Sequence, residues 1–176
     1  KTLGEKTLVS TVMSNAGLEA AIKKAGGKMI RTPVGDKNVI DEMLKNGFNF
    51  GGEQSGHLIF RDFATTGDGL VAALQMLRIM RAKNSPLSKL AKCWTRFPQL
   101  VTNVKVREKI PFEKLDGVLK LISSAEAELK TAGGRISLRY SATERNARLL
   151  LEARDEQPLK NWSQKIYRAI QKQTGV

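Results

Sequence analysis

A chain of 176 residues is long enough for one large domain or two small ones, and its 41% hydrophobic content is that of an ordinary globular protein, which excludes a disordered chain. The longest apolar-leaning stretch, 70–80, is interrupted by Gln75 and Arg78 and falls short of the roughly 20 residues a bilayer span requires, so no membrane segment is expected. The net charge of +13 points toward anionic partners, but it is spread along the chain, with 14 basic against 8 acidic residues in 1–92 and 16 against 9 in 93–176, leaving open a solvated basic surface or a polyanion groove.

Taken in order, residues 1–6 lack an initiating Met and carry no apolar segment with a cleavage site, so the N-terminus reads as the start of a fragment and not as a secretory signal. A β-leaning run at 8–13 leads into a helix with Leu18, Ala21, Ile22 and Ala25 at helical spacing, stopped by Gly26-Gly27. A second strand is expected at 28–32, then a turn at 33–36 and a helix carrying Val39, Ile40, Met43 and Leu44. Short strands at 48–51 and 58–60 flank a glycine-rich loop. A long helix follows, with Asp68 as its N-terminal cap and an apolar stripe of Leu70, Ala73, Leu74, Leu77 and Met80. Asn84-Ser85-Pro86 breaks it, and Cys93 and Trp94 are expected to fill a hinge; the single cysteine excludes an internal disulfide and fits a reducing, cytoplasmic setting.

Beyond residue 90 the pattern changes. Residues 100–106 alternate like a half-exposed strand, an amphipathic helix carries Leu115, Val118, Leu119, Ile122, Ala125 and Leu129, and strands at 135–140 and 149–153 precede a final helix with Leu159, Trp162, Ile166 and Ile170 facing inward. The expected architecture is an α/β layered domain over 1–90, a mixed sheet with flanking helices, followed by a smaller α+β domain over 91–176, an antiparallel sheet with helices.

Two loops hold groups that do chemistry. Gly51-Gly52-Glu53-Gln54-Ser55-Gly56-His57 gathers a carboxylate, an amide, a hydroxyl and the chain's one imidazole between short strands. If the loop is extended, Glu53, Ser55 and His57 point to one side, a mix suited to vicinal sugar hydroxyls, with His57 able to exchange a proton near neutral pH. A polar surface turn is the other reading. The segment Arg139-Tyr140-Ser141-Ala142-Thr143-Glu144-Arg145-Asn146-Ala147-Arg148 offers three guanidinium forks and two hydroxyls, the groups that cradle a phosphate dianion. Its alternative is a solvated turn in which Glu144 pairs with an arginine. Arg31 and Lys37 add cations near the 33–36 turn, with surface ion pairing as the simpler reading. The aromatics sit at helical apolar positions and form no stacking strip with the arginines, which argues against nucleic acid as the partner.

Gly52-Glu53-Gln54-Ser55-Gly56-His57 and Arg139-Tyr140-Ser141-Ala142-Thr143-Glu144 resemble, in order and spacing, the sugar-binding and phosphate-binding loops of the phosphohexomutase family. The likeness runs through Thr11 to Leu18, Thr32 to Lys37 and Thr66 to Leu70, and together with Gln54 it is similar to the phosphoglucosamine mutase branch more than to the phosphomannomutase and phosphoglucomutase branches. The resemblance implies the third and fourth of four domains, with the first two and their phosphorylated serine and Asp-x-Asp-x-Asp magnesium loop missing. In the whole enzyme it implies a magnesium-assisted exchange of glucosamine 6-phosphate and glucosamine 1-phosphate through a bisphosphate. It further implies that Glu53, Ser55, His57 and Lys37 hold the sugar, with His57 as a possible general acid or base. Arg139, Ser141, Thr143 and Arg148 would grip the phosphate not transferred. No metal ligand is implied in this chain, which is expected to be inactive alone. Tyr140, Ala142 and Arg145 depart from the family's phosphate-loop pattern, and Lys37 replaces an arginine.

Overall fold

The computed structural model describes residues 3–141 and 143–175, and the chain divides into two compact units, Lys1–Arg96 and Phe97–Val176. The first unit holds β1 (Thr7–Thr11), α1 (Ala16–Lys24), β2 (Lys28–Thr32), α2 (Asp36–Asn46), β3 (Phe50–Gly52), β4 (Leu58–Phe60), α3 (Gly69–Lys83) and the single turn α4 (Leu87–Leu90). The sheet order is β2-β1-β3-β4, with β1 parallel to β2 and β3, and β4 antiparallel to β3. The chain therefore steps from β1 to one neighbour through α1 and back past β1 to the other through α2. Right-handed crossovers in opposite directions put these helices on opposite faces of the sheet. They also make the carboxyl ends of β1 and β3 a topological switch point, where open α/β sheets present a crevice.

β1 ends at Thr11, two residues before the end of the expected run, because Ser14 N–H returns to Thr11 C=O at 3.0 Å and turns the chain. Asn15 then caps α1, its Oδ1 accepting from Gly17 N at 2.9 Å. Between the sheet and α2 lies a core of Val9, Val39, Met43, Phe48 and Ile59, each contributing about 1.5–3 kcal/mol by burial. Arg61 Nη1 ties off the end of α2 by donating to Met43 C=O at 3.2 Å and Phe48 C=O at 2.9 Å.

α3 starts as predicted, with Asp68 Oδ1 accepting from Val71 N at 2.9 Å, but its orientation is inverted relative to its apolar stripe. Its one buried residue is Gln75, at 8% exposure, whereas Leu70, Leu74 and Leu77 are 79%, 62% and 58% exposed. Val71, Ala72 and Met76, which are half-buried, share the inner face with Gln75. Cys93 is exposed and so does not fill a hinge.

The second unit holds β5 (Gln99–Lys105), α5 (Val118–Thr131), β6 (Arg135–Tyr140), β7 (Asn146–Glu152) and α6 (Gln157–Thr174), with an antiparallel sheet ordered β5-β7-β6. Val104, Ala147, Leu149 and Leu151 pack one face of the sheet onto Val118 and Leu129 of α5 and Leu159, Ile166 and Ile170 of α6. Alternation sends Arg148, Leu150 and Glu152 to the other face, and the register sets Arg139 and Asn103 beside Arg148 and Lys105 beside Asn146. At one end of that face the fully buried Glu152 accepts from Arg135 Nε at 2.6 Å and from Gln99 Nε2 at 2.5 Å. Among the described residues no helix is long and apolar enough to cross a membrane.

Candidate functional site

The loop between β3 and β4 stands at the switch point. It is a closed turn and not extended. Glu53 N–H donates to His57 C=O at 2.9 Å, Gly56 N–H donates to Glu53 C=O at 3.1 Å, and Gly56 takes φ +101°, a left-handed backbone that suits glycine. The turn nevertheless gathers the three expected groups: His57 Nδ1 lies 3.2 Å from Ser55 Oγ and 3.6 Å from Glu53 Oε2. At the mouth of the turn, a Cβ on Gly52 would lie 2.6 Å from His57 C=O, so the close approach of the two strands requires glycine there.

Each side chain has a distinct setting. The Glu53 side chain is 10% exposed, and its Oε1 accepts from Gly35 N at 3.0 Å, joining the 33–37 turn to the 53–57 turn. Its Oε2 faces His57, whose side chain is 62% exposed. Beneath the turn, Ser10 Oγ donates to Gly52 C=O at 2.7 Å and is hydrogen-bonded to Ser14 Oγ, both serines being buried. These two hydroxyls escaped sequence reasoning, since a serine in a strand and one in a turn carry no signal of their own. Arg31 is the pin of this region: Nη1 donates to Ser14 C=O at 2.6 Å and Thr11 C=O at 3.2 Å, while Nε and Nη2 hold Glu19 Oε2 at 3.2 and 3.0 Å. Lys37 is paired elsewhere, its Nζ 2.6 Å from Asp41 Oδ2 on the outer surface of α2. That hydrogen bond and the Asp41 charge push the ammonium up from its ordinary value. Lys37 does line a cavity of about 220 Å³ with Asp36, Ile40, Ile59, Thr66 and Gly67.

In the second unit the β6–β7 loop begins at Ser141, buried at 3% exposure, whose N–H donates to Asn146 C=O at 2.8 Å and whose Oγ accepts from Glu144 N at 3.3 Å. Arg139 and Arg148 face one another across the strands. Glu144 takes Arg148 Nη2 at 2.9 Å and Asn146 Nδ2 at 3.2 Å, as the solvated-turn reading expects. These bonds, with the Arg148 charge, hold its carboxyl below the ordinary carboxylate value. The pairing does not use the whole guanidinium: Arg148 Nε is buried and has no hydrogen-bond partner. An orphaned donor at a cationic loop is the kind of group an incoming anion satisfies. Thr143 is exposed, and Ala142 lies outside the described residues.

Lys109 adds a cation that sequence reasoning passed over, its Nζ donating to Ser141 C=O at 2.7 Å. Tyr140 is anchored by donation of its hydroxyl to Ile110 C=O at 2.6 Å and by stacking on Phe112 at 4.3 Å between ring centroids; burial pushes its phenol up. Among the described residues no group of three His, Cys, Asp or Glu side chains is placed to hold a metal ion.

Both loops fall within stretches that match known proteins. The model of the phosphoglucomutase/phosphomannomutase α/β/α domain III matches residues 1–97, and that of the family's C-terminal domain matches residues 101–169. The phosphoglucosamine mutase of Geobacter metallireducens is 49% identical over 175 residues, 99% of this chain and 39% of its own length. That of Nitratidesulfovibrio vulgaris is 51% identical over 170 residues, 97% of this chain and 38% of its own length. The chain thus spans about two fifths of the relatives it matches. Among solved structures, Aspergillus fumigatus N-acetylphosphoglucosamine mutase superposes with a TM-score of 0.80 at 18% identity, over 97% of this chain and 39% of that one. A second structure of that enzyme, in complex with GlcNAc-6P and magnesium, superposes with a TM-score of 0.78 at 19% identity, over 96% of this chain and 42% of that one. The mixed sheet with helices and the antiparallel sheet after it are accordingly the fold of the phosphohexomutases, and the chain belongs to the phosphoglucomutase/phosphomannomutase family, carrying its domain III and its C-terminal domain.

Proposed function

We propose that this chain is the sugar- and phosphate-binding portion of a phosphoglucosamine mutase, the whole protein interconverting glucosamine 6-phosphate and glucosamine 1-phosphate through a bisphosphate. The observation that carries the reading is the convergence of Glu53, Ser55 and His57 in one closed turn at the switch point of the first sheet. Glu53 Oε2 accepts from sugar hydroxyls while Oε1 stays fixed on Gly35, so the carboxylate meets the ligand already oriented. Ser55 Oγ donates or accepts, and His57, the more exposed member, contacts the sugar or moves a proton at one of its hydroxyls. Arg139 and Arg148, with Ser141, Thr143 and the loop backbone, grip the phosphate that is not transferred; Arg148 Nε is the donor with capacity to spare. Lys37 contributes charge at the neighbouring cavity after leaving Asp41.

Magnesium belongs to the part of the enzyme outside this chain: the described residues do not fit the ion, and no step here runs through it. The partners are a phosphosugar and the remaining domains of the same protein, and the setting is the cytoplasm, in keeping with one unpaired cysteine. The test is a coupled assay with calorimetry on the isolated chain. Saturable binding of glucosamine 6-phosphate without conversion to glucosamine 1-phosphate is expected, and sustained turnover by this chain alone sinks the reading.

A further inference from the structure

The two ends of the second unit's sheet treat their cations differently. At one end Arg135 is neutralised by the buried carboxylate of Glu152. At the other, Lys105, Arg107 and Arg145 border a cavity of about 430 Å³ that is completed by Val106 and Asn146. Among the described residues no carboxylate pairs with any of these three side chains. The acid of the adjoining loop, Glu144, is already committed to Arg148 and Asn146 at 2.9 and 3.2 Å.

The frame under these cations is fixed by backbone bonds. Lys105 pairs with Asn146 at the end of the β5–β7 ladder, Val106 N–H donates to Arg145 C=O at 3.0 Å, and Arg107 N–H donates to Thr174 C=O at 2.8 Å. Val106 between them is 1% exposed and bridges to Gly175. Alternation along the extended chain therefore projects Lys105 and Arg107 to one side, away from the core that holds Val106. Three like charges around one cavity make a local positive field that draws an anion into it.

We propose that Lys105 and Arg107, together with Arg145 from the outer end of the loop that carries Arg139 and Arg148, form a second anion site, for a phosphoryl group. Two guanidinium forks and one ammonium match the several acceptor oxygens and double charge of a phosphoryl dianion better than they match a singly charged carboxylate. The site goes beyond the function proposed above, which uses none of these three side chains. It also absorbs part of the +13 charge that the phosphate loop leaves unexplained.

The test is an amide NMR titration of the full chain with inorganic phosphate. Saturable shifts are expected at Val106, Arg107 and Arg145, retained in Arg139→Gln and weakened about tenfold in the double variant Lys105→Gln/Arg107→Gln. Both substituted side chains are exposed, so an unchanged melting temperature shows that the variant folds. A parallel titration with glucosamine 6-phosphate separates the sources: tighter saturation at the same amides identifies a phosphosugar, weaker or equal saturation identifies free phosphate, and either supports the site. Absence of saturable shifts, their loss in Arg139→Gln, an unchanged affinity in the double variant, or saturation by duplex DNA alone overturns it. Failure of the phosphosugar reading looks different: glucosamine 6-phosphate leaves the amides of Glu53, Ser55 and Ser141 unmoved while phosphate still shifts those of Val106 and Arg107.

Discussion

The Oε1 of Glu53 accepts from Gly35 N–H and joins two turns that sequence treats as separate. Glu53→Ala removes the acceptor and leaves that N–H without its partner, which is expected to destabilise the first unit by about 1–3 kcal/mol in urea denaturation. Glu53→Gln keeps an oxygen in place and is expected to cost less than half of that. Glu19 gives a pH signature. Partial burial pushes its carboxyl up, but hydrogen bonds and charge from Lys23 and Arg31 more than reverse this and hold it below the ordinary carboxylate value. A carboxylate lowered by folding stabilises the fold above its unfolded-state value, and the contribution is lost as pH falls through the lowered folded-state value. Glu19→Gln is therefore expected to lower stability at neutral pH and to converge on the parent protein in acid, as read from denaturation midpoints along a pH series. The gathering of Glu53, Ser55 and His57 was legible in sequence because unusual groups crowd one short loop. Lys109 was not, since it reaches Ser141 from 32 residues away.

Among the elements, α2 and α3 show what an apolar period can and cannot convey. Both helices form where the spacing predicts, and in α2 the predicted Val39 and Met43 are fully buried. In α3 the pattern supports two apolar faces, and the sheet takes the one that includes Gln75, leaving Leu74 outside. Met43→Ala is expected to cost about 2–5 kcal/mol by transfer and cavity formation, whereas Leu74→Ala in the same chain changes stability by less than about 0.5 kcal/mol. Equal losses at the two positions in chemical denaturation contradict this orientation of α3. The loop between β3 and β4 shows the same limit at shorter range. Its chemistry was readable, but its closure depends on Gly56 and on the strand contact at Gly52, which alternation does not encode.

For the molecule as a whole, the order of an α/β unit and a smaller antiparallel one was visible in the change of pattern after the long helix. The Asn84-Ser85-Pro86 break marks the end of α3, yet the first compact unit continues through α4 to Arg96, because a four-residue helix is too short to leave a periodic trace. Each unit carries one of the two chemistry-bearing loops, with a polar cluster in the first and a cationic one in the second. The direct measurement is an amide NMR titration of this chain with glucosamine 6-phosphate. Phosphosugar binding requires saturable shifts at Glu53, Ser55 and His57 together with Ser141 and Thr143, with the shifts at Ser141 and Thr143 lost in Arg139→Gln. Saturation without movement at either loop contradicts it.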